Sequence, residues 1–175
     1  MSLTAPFPYF GGKSKVAPLI WDKVGQVESY VEPFGGSMSL YLNASNPPGR
    51  VILNDLDGLL MNFWRSVKYA PEELADKAKA PVSSLELQAR HNYVTREAPS
   101  LVEKVGGDPT FYDVEIAAHW LYSRCAMIGG RHIFEAPIGP RIPSLIGRGI
   151  FASKREDLGR VLKDLSDHIQ RATLT

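Results

Sequence analysis

The spacing of apolar positions changes several times along this chain. Over residues 13–23, Val16, Leu19 and Ile20 recur at helical spacing. Ahead of them, Pro6-Phe7-Pro8-Tyr9-Phe10-Gly11-Gly12 is an extended segment with two prolines and a glycine pair. Ser29-Tyr30-Val31-Glu32-Pro33-Phe34 reads as a short strand running into Gly35-Gly36-Ser37, and residues 38–44 read as a helix. Asn46-Pro47-Pro48-Gly49 forces a turn. Residues 50–54 form a second strand with Asp55 at its carboxyl end, and Leu59, Leu60, Phe63, Trp64 and Val67 then mark an amphipathic helix. Residues 1–70 therefore predict helix–strand–helix–strand–helix, the order of a parallel sheet with crossover helices.

Residues 71–107 carry helical segments of mixed polarity, broken by Gly106-Gly107-Asp108-Pro109. Residues 111–127 read as a long apolar-rich helix, and residues 129–149 as a Gly/Pro/Arg-rich irregular stretch. Ser153-Lys154-Arg155-Glu156 has the form of a capping box, in which Ser caps the helix and Glu reaches back. Leu158, Val161, Leu162, Leu165 and Ile169 form the apolar face of the helix that follows, and residues 172–175 begin a further strand. There are no internal repeats and no low-complexity tract.

Hydrophobic residues make up 44% of the 175, which suits a globular fold and opposes disorder. The net charge of +1 does not by itself announce a nucleic-acid binder. Its distribution is more telling: residues 121–155 hold six Lys/Arg and one acid, Glu135. The single Cys125 excludes an internal disulfide and fits a reducing cytoplasm. His119 and His132 lack metal-ligand spacing, and no metal is expected. No apolar run approaches the roughly 18–20 residues that span a bilayer, and the first residues lack the charged start and apolar stretch of a signal peptide.

Three constellations carry chemistry. In Val31-Glu32-Pro33-Phe34-Gly35-Gly36-Ser37, a strand gives way to small residues before a helix. Such a bend serves as a tight turn, or lets backbone N–H groups approach a cofactor at the carboxyl edge of a sheet. Its glycines do not follow the G-x-G-x-x-G spacing. Asp55 lies 20 residues past Gly35, where a carboxylate can accept hydrogen bonds from ribose hydroxyls; Asp55 or Asp57 can equally cap the next helix. Tyr9-Phe10-Gly11-Gly12-Lys13-Ser14 contains Gly-Lys-Ser, but Phe7 stands where a phosphate loop needs its first glycine, and prolines replace the preceding strand. The lysine remains free to meet a carboxylate, and the aromatic to stack on a purine.

Taken in order, these three segments resemble the opening of the Dam-like DNA adenine-N6 methyltransferases, which run aromatic-x-Gly-Gly-Lys, Glu-Pro-Phe-x-Gly, then a strand ending in Asp. The resemblance is sharp over roughly the first 70 residues and returns over residues 156–170 and 172–175. It implies an α/β fold: an incomplete class-I Rossmann-like methyltransferase core (residues 1–60 and 151–175) with a mostly helical target-recognition insertion (61–150). It implies S-adenosylmethionine as cofactor. Tyr9 takes the place of an aromatic beside it, and Gly11, Gly12 and Lys13 accompany it. Glu32, Pro33, Phe34, Gly35, Gly36 and Ser37 form the cofactor loop, and Asp55 holds the ribose. Tyr at 9 and Ser at 37 depart mildly from the pattern.

The family's catalytic Asp-Pro-Pro-Tyr is not in the chain. Asn46-Pro47-Pro48-Gly49 reads as a turn, and Asp108-Pro109-Thr110-Phe111 as a loop entering a helix with Pro near its first turn. The expectation is a fragment that ends before this motif and does not turn over alone, with no catalytic residue in these 175. Double-stranded DNA is the implied partner. Arg124, Arg131, His132, Arg141 and Arg148 are the candidate contacts, through phosphates or guanine edges; a solvated loop is the competing reading. Trp64, Trp120 and His119 fit helix packing. Two other classes stay open: a Rossmann-type NAD-dependent oxidoreductase and a non-catalytic DNA-binding module.

Overall fold

The computed structural model describes residues 3–81, 83–126 and 158–175. In chain order the elements are α1 (Ala17–Val24), β1 (Ser29–Glu32), α2 (Ser39–Leu42), β2 (Arg50–Leu53), α3 (Gly58–Tyr69), α4 (Pro71–Ala78), α5 (Ser84–Gly107), α6 (Val114–Ala126), α7 (Leu158–Ile169) and β3 (Ala172–Leu174). The strands form one parallel sheet, β1-β2-β3, with Val31 opposite Ile52 and Ile52 opposite Thr173. Parallel neighbours need crossover connections. Here α2 lies within the first, and α3 to α7 within the second. β1 and β2 therefore end at one edge of the sheet, and segments 33–37 and 54–57 leave it side by side.

The helix α3 is the centre of the molecule. Asp57 caps it: Oδ1 accepts the N–H groups of Leu59 at 3.0 Å and Leu60 at 3.2 Å. Every residue from Leu59 to Val67 is buried, because α4, α5, α6, α7 and β3 all pack on it. The apolar stripe expected from the sequence is present, but so are buried polar residues, which act as braces. Asn62 pairs with the backbone of Asp113 in both directions, at 2.9 and 2.7 Å. Arg65 donates to the carbonyls of Val105, Asp108 and Phe111 at 2.9–3.1 Å. These bonds satisfy carbonyls where α5 ends and the connection to α6 turns.

Several boundaries differ from the sequence expectation. Val16, just ahead of α1, and Leu19 within it stay exposed, because Trp21 sets the docking: its indole donates to Leu40 O at 2.8 Å and its ring lies 5.1 Å from that of Tyr30. α2 is only four residues long; Met38, at φ 51°, lies outside helical geometry and delays the start. Pro109 is not in the first turn of α6. It sits in a turn held by Asp108, while Asp113 Oδ1 accepts the Ile116 N–H and opens the helix. In α7, Leu158, Leu162, Leu165 and Ile169 are buried and Val161 partly so. Residues 153–156, the expected capping box, lie outside the described residues. Trp64 and Trp120 pack in the core, and His119 is largely buried against Tyr93 and Arg90. Among the described residues, no helix is long and apolar enough to cross a membrane.

Candidate active site

The bend after β1 is laced to the end of β2. Asn54 N–H bonds to Glu32 O at 2.9 Å, Gly35 N–H to Asn54 O at 2.7 Å, and the Asn54 side-chain amide to Pro33 O at 2.9 Å. The chain then passes through Gly36 at φ +52°, a left-handed conformation that favours glycine. Three groups converge there. The Asp55 carboxylate accepts the Gly36 N–H at 2.8 Å. The buried Trp64 indole donates to Gly36 O at 3.0 Å. The hydroxyl end of the Tyr9 ring lies against it: a Cβ would stand 2.7 Å from Tyr9 Cε1. Asp57 caps α3, so Asp55 is not the cap. Its second oxygen accepts the Asp57 N–H at 3.0 Å, and two lone-pair directions of the carboxylate remain for a ligand.

On the other side of the bend, the Lys13 ammonium donates to Phe34 O at 3.2 Å and lies 3.5 Å from Glu32 Oε1. Glu32 is buried, with Oε2 accepting the Tyr30 hydroxyl at 3.0 Å and Oε1 lacking a hydrogen bond. Burial pushes the Glu32 carboxyl above the usual carboxylate range, against the Tyr30 hydrogen bond and Lys13, which hold it down. Burial also raises the Tyr9 phenol, helped by Asp55 and Asp57 and opposed by Arg124.

A cleft of about 160 Å³ opens beside Tyr9, Gly12, Ser14, Ser37 and Ser39. Gly12 borders it without a side chain; a Cβ there would meet Tyr9 O at 3.4 Å and Ser37 Oγ at 3.5 Å. Ser37 and Ser39 share a hydroxyl–hydroxyl bond. Gly11 has φ +78° and open space beyond it. Tyr9, Gly12, Lys13, the segment Glu32 to Ser37, and Asp55 are thus brought together. Phe10, Phe34 and Leu56 belong to the same loops and are 94%, 76% and 96% exposed. Sequence reasoning passed over Phe10 and Leu56. The available signal was an apolar residue set between two acids, Asp55-Leu56-Asp57, where a cap alone needs none.

Residues 9–129 match the model of the D12 class N6 adenine-specific DNA methyltransferases. The chain belongs to that family. The match takes in the Tyr9–Lys13 segment, the Gly35-Gly36 bend and Asp55, and gives no support to a nicotinamide oxidoreductase or a non-catalytic module. No curated protein matches the chain significantly. In this D12-class protein, Arg124 is not on an open surface. It is buried beneath the N-terminal segment, with its guanidinium 6.0 Å from the Tyr9 ring centre and 5.7 Å from that of Trp120. Arg131, His132, Arg141 and Arg148 lie outside the described residues. Among the described residues, no group of three His, Cys, Asp or Glu could hold a metal.

Proposed function

We propose that this D12-class chain binds S-adenosylmethionine at the carboxyl edge of β1 and β2, as the methyl donor for adenine N6 in double-stranded DNA. The observation that carries the reading is the convergence of the Tyr9 ring and the Asp55 carboxylate on Gly36. The fit is chemical. The cofactor bears a carboxylate, an ammonium, two ribose hydroxyls and a purine. Lys13 offers a cation, and Glu32 Oε1 is a buried acceptor without a hydrogen bond. Asp55 has spare acceptor directions, and Tyr9 supplies an aromatic face. Gly11 and Gly12 keep the approach free of side chains. The cleft is smaller than the roughly 300–1,000 Å³ of a typical ligand pocket and does not include Asp55, so the nucleoside end is placed outside it, beside Asp55 and the exposed Phe34 and Leu56. Exposed apolar side chains on the two loops suit such a contact.

When bound, S-adenosylmethionine supplies an electrophilic methyl group. The residues of this chain hold and orient it; no proton transfer is assigned to them, and none is catalytic. On this reading the sheet is part of a class-I Rossmann-like core, and residues 61–150 supply target recognition. Arg131, His132, Arg141 and Arg148 meet DNA, which is reached as a flipped base. The Asp-Pro-Pro-Tyr tetrapeptide is absent from the 175 residues, and the role proposed for them is cofactor binding. The setting is the cytoplasm.

Thermal unfolding with S-adenosylmethionine or NAD tests the proposal. At about 100-fold excess over Kd, a ligand of the native state adds roughly 2.7 kcal/mol. Stabilisation by S-adenosylmethionine and not by NAD supports it; the reverse overturns it.

A further inference from the structure

The last turn of α6 grips the N-terminal segment. Arg124 donates to Pro8 O at 3.4 Å, and the neighbouring Cys125 thiol to Pro6 O at 3.3 Å. Between those two carbonyls, Phe7 is buried edge-on against Phe63 and Trp120, with centroid separations of 5.2 and 5.1 Å. Pro6 and Pro8 cannot donate backbone hydrogen bonds, so this segment is anchored through its carbonyls and Phe7. Tyr9 is the next residue, and the Arg124 guanidinium lies over its ring at 6.0 Å. The hydroxyl end of the ring lies against Gly36. The ring thus touches a cation and a glycine.

We propose that Arg124 is a positioning residue for the cofactor site: it orients the Tyr9 ring against Gly36 and so tunes affinity for S-adenosylmethionine. The site's other residues come from β1, β2 and the segments beside them, whereas α6 is distant in sequence and contributes no other cofactor group. This inference rests on the reading of Tyr9 as a cofactor contact. It gives Arg124 a role apart from direct contact with DNA. A planar guanidinium suits the position, because it can face a ring and donate in its own plane to Pro8 O. Lysine offers the charge without the plane.

Two measurements on the 175-residue protein test it. In the ligand-free protein, the Tyr9 ring resonances are assigned by their loss in Tyr9→Phe. They are expected to shift in Arg124→Met, while those of Tyr69, stacked on Tyr112, stay in place. Unmoved Tyr9 signals would overturn the proposal whether or not any cofactor binds. In calorimetry, Arg124→Met is expected to weaken S-adenosylmethionine about fivefold, with the loss vanishing in a Tyr9→Ala background. Losses that simply add would also overturn it. Should Arg124→Met fail to fold, Arg124→Lys is read in the same two ways. A wild-type protein that ignores S-adenosylmethionine while its Tyr9 ring responds to Arg124 would sink the functional reading and leave the positioning intact.

Discussion

Tyr9 lies so close over Gly36 that a methyl group on the glycine would stand 2.7 Å from the ring edge. Gly36→Ala is therefore expected to push the ring off the bend and to strain a backbone at φ +52°. The conformational cost is about 1–2 kcal/mol, read as a lower Tm. S-adenosylmethionine affinity should fall with it, by calorimetry. Unchanged Tm and affinity together would show that the bend relaxes freely.

The two acids after β2 have separable jobs. Asp55→Ala removes the acceptor for the Gly36 and Asp57 N–H groups and the proposed ribose contact. A lost charged hydrogen bond of roughly 1.5–3 kcal/mol corresponds to about tenfold or more in affinity. Asp57→Ala instead removes the cap of α3, worth about 1 kcal/mol of stability, with a smaller effect on binding. Calorimetry and urea unfolding on the pair check this; equal effects on affinity would assign both acids to the site.

Much of this division was legible in the sequence and some was not. A strand-to-glycine pattern at Val31–Gly36 and a strand-to-acid pattern at Val51–Asp55 mark both loops, because short apolar runs ended by Pro, Gly or Asp have few alternative foldings. Which acid caps α3 is undecidable in the sequence, since Asp55 and Asp57 both stand near the helix start; the bonds of Asp57 to Leu59 and Leu60 and of Asp55 to Gly36 separate them. The burial of Arg124 was equally hidden. Periodicity assigns a face to a residue but cannot show that a distant segment, here Pro6 to Tyr9, will cover it. The exposed stripe of α1 failed for a related reason: one indole bond, Trp21 to Leu40 O, outweighed the apolar spacing of Val16 and Leu19.

Glu32 makes stability depend on pH. Burial raises its carboxyl above the usual range, so the native state holds that proton more tightly than the unfolded chain. The resulting stabilisation is complete below the ordinary carboxylate pKa and is lost as pH rises through the raised one. Wild type minus Glu32→Gln, measured as Tm from about pH 4 to about pH 8, should therefore decline as pH rises. A flat difference would mean that Glu32 titrates alike in both states. Affinity for S-adenosylmethionine should move the opposite way, weakening as Glu32 is protonated.

Arg65 is buried among three carbonyls of the α5–α6 connection. Arg65→Ala leaves them short of donors and should cost on the order of 3 kcal/mol in urea unfolding. The site residues are not among its partners, so the folded fraction should keep its cofactor affinity. A loss below about 1 kcal/mol would show that water replaces the guanidinium.

The central claim is that Tyr9, Lys13, the Gly35-Gly36 bend and Asp55 serve one ligand. Titrating the ¹⁵N-labelled protein with S-adenosylmethionine and following its amide resonances addresses it most directly. The account predicts shifts concentrated at Gly12, Lys13, Gly35, Gly36, Asp55 and Asp57, saturating with a single affinity. Perturbations confined to other parts of the molecule, or none at saturating cofactor, would contradict it.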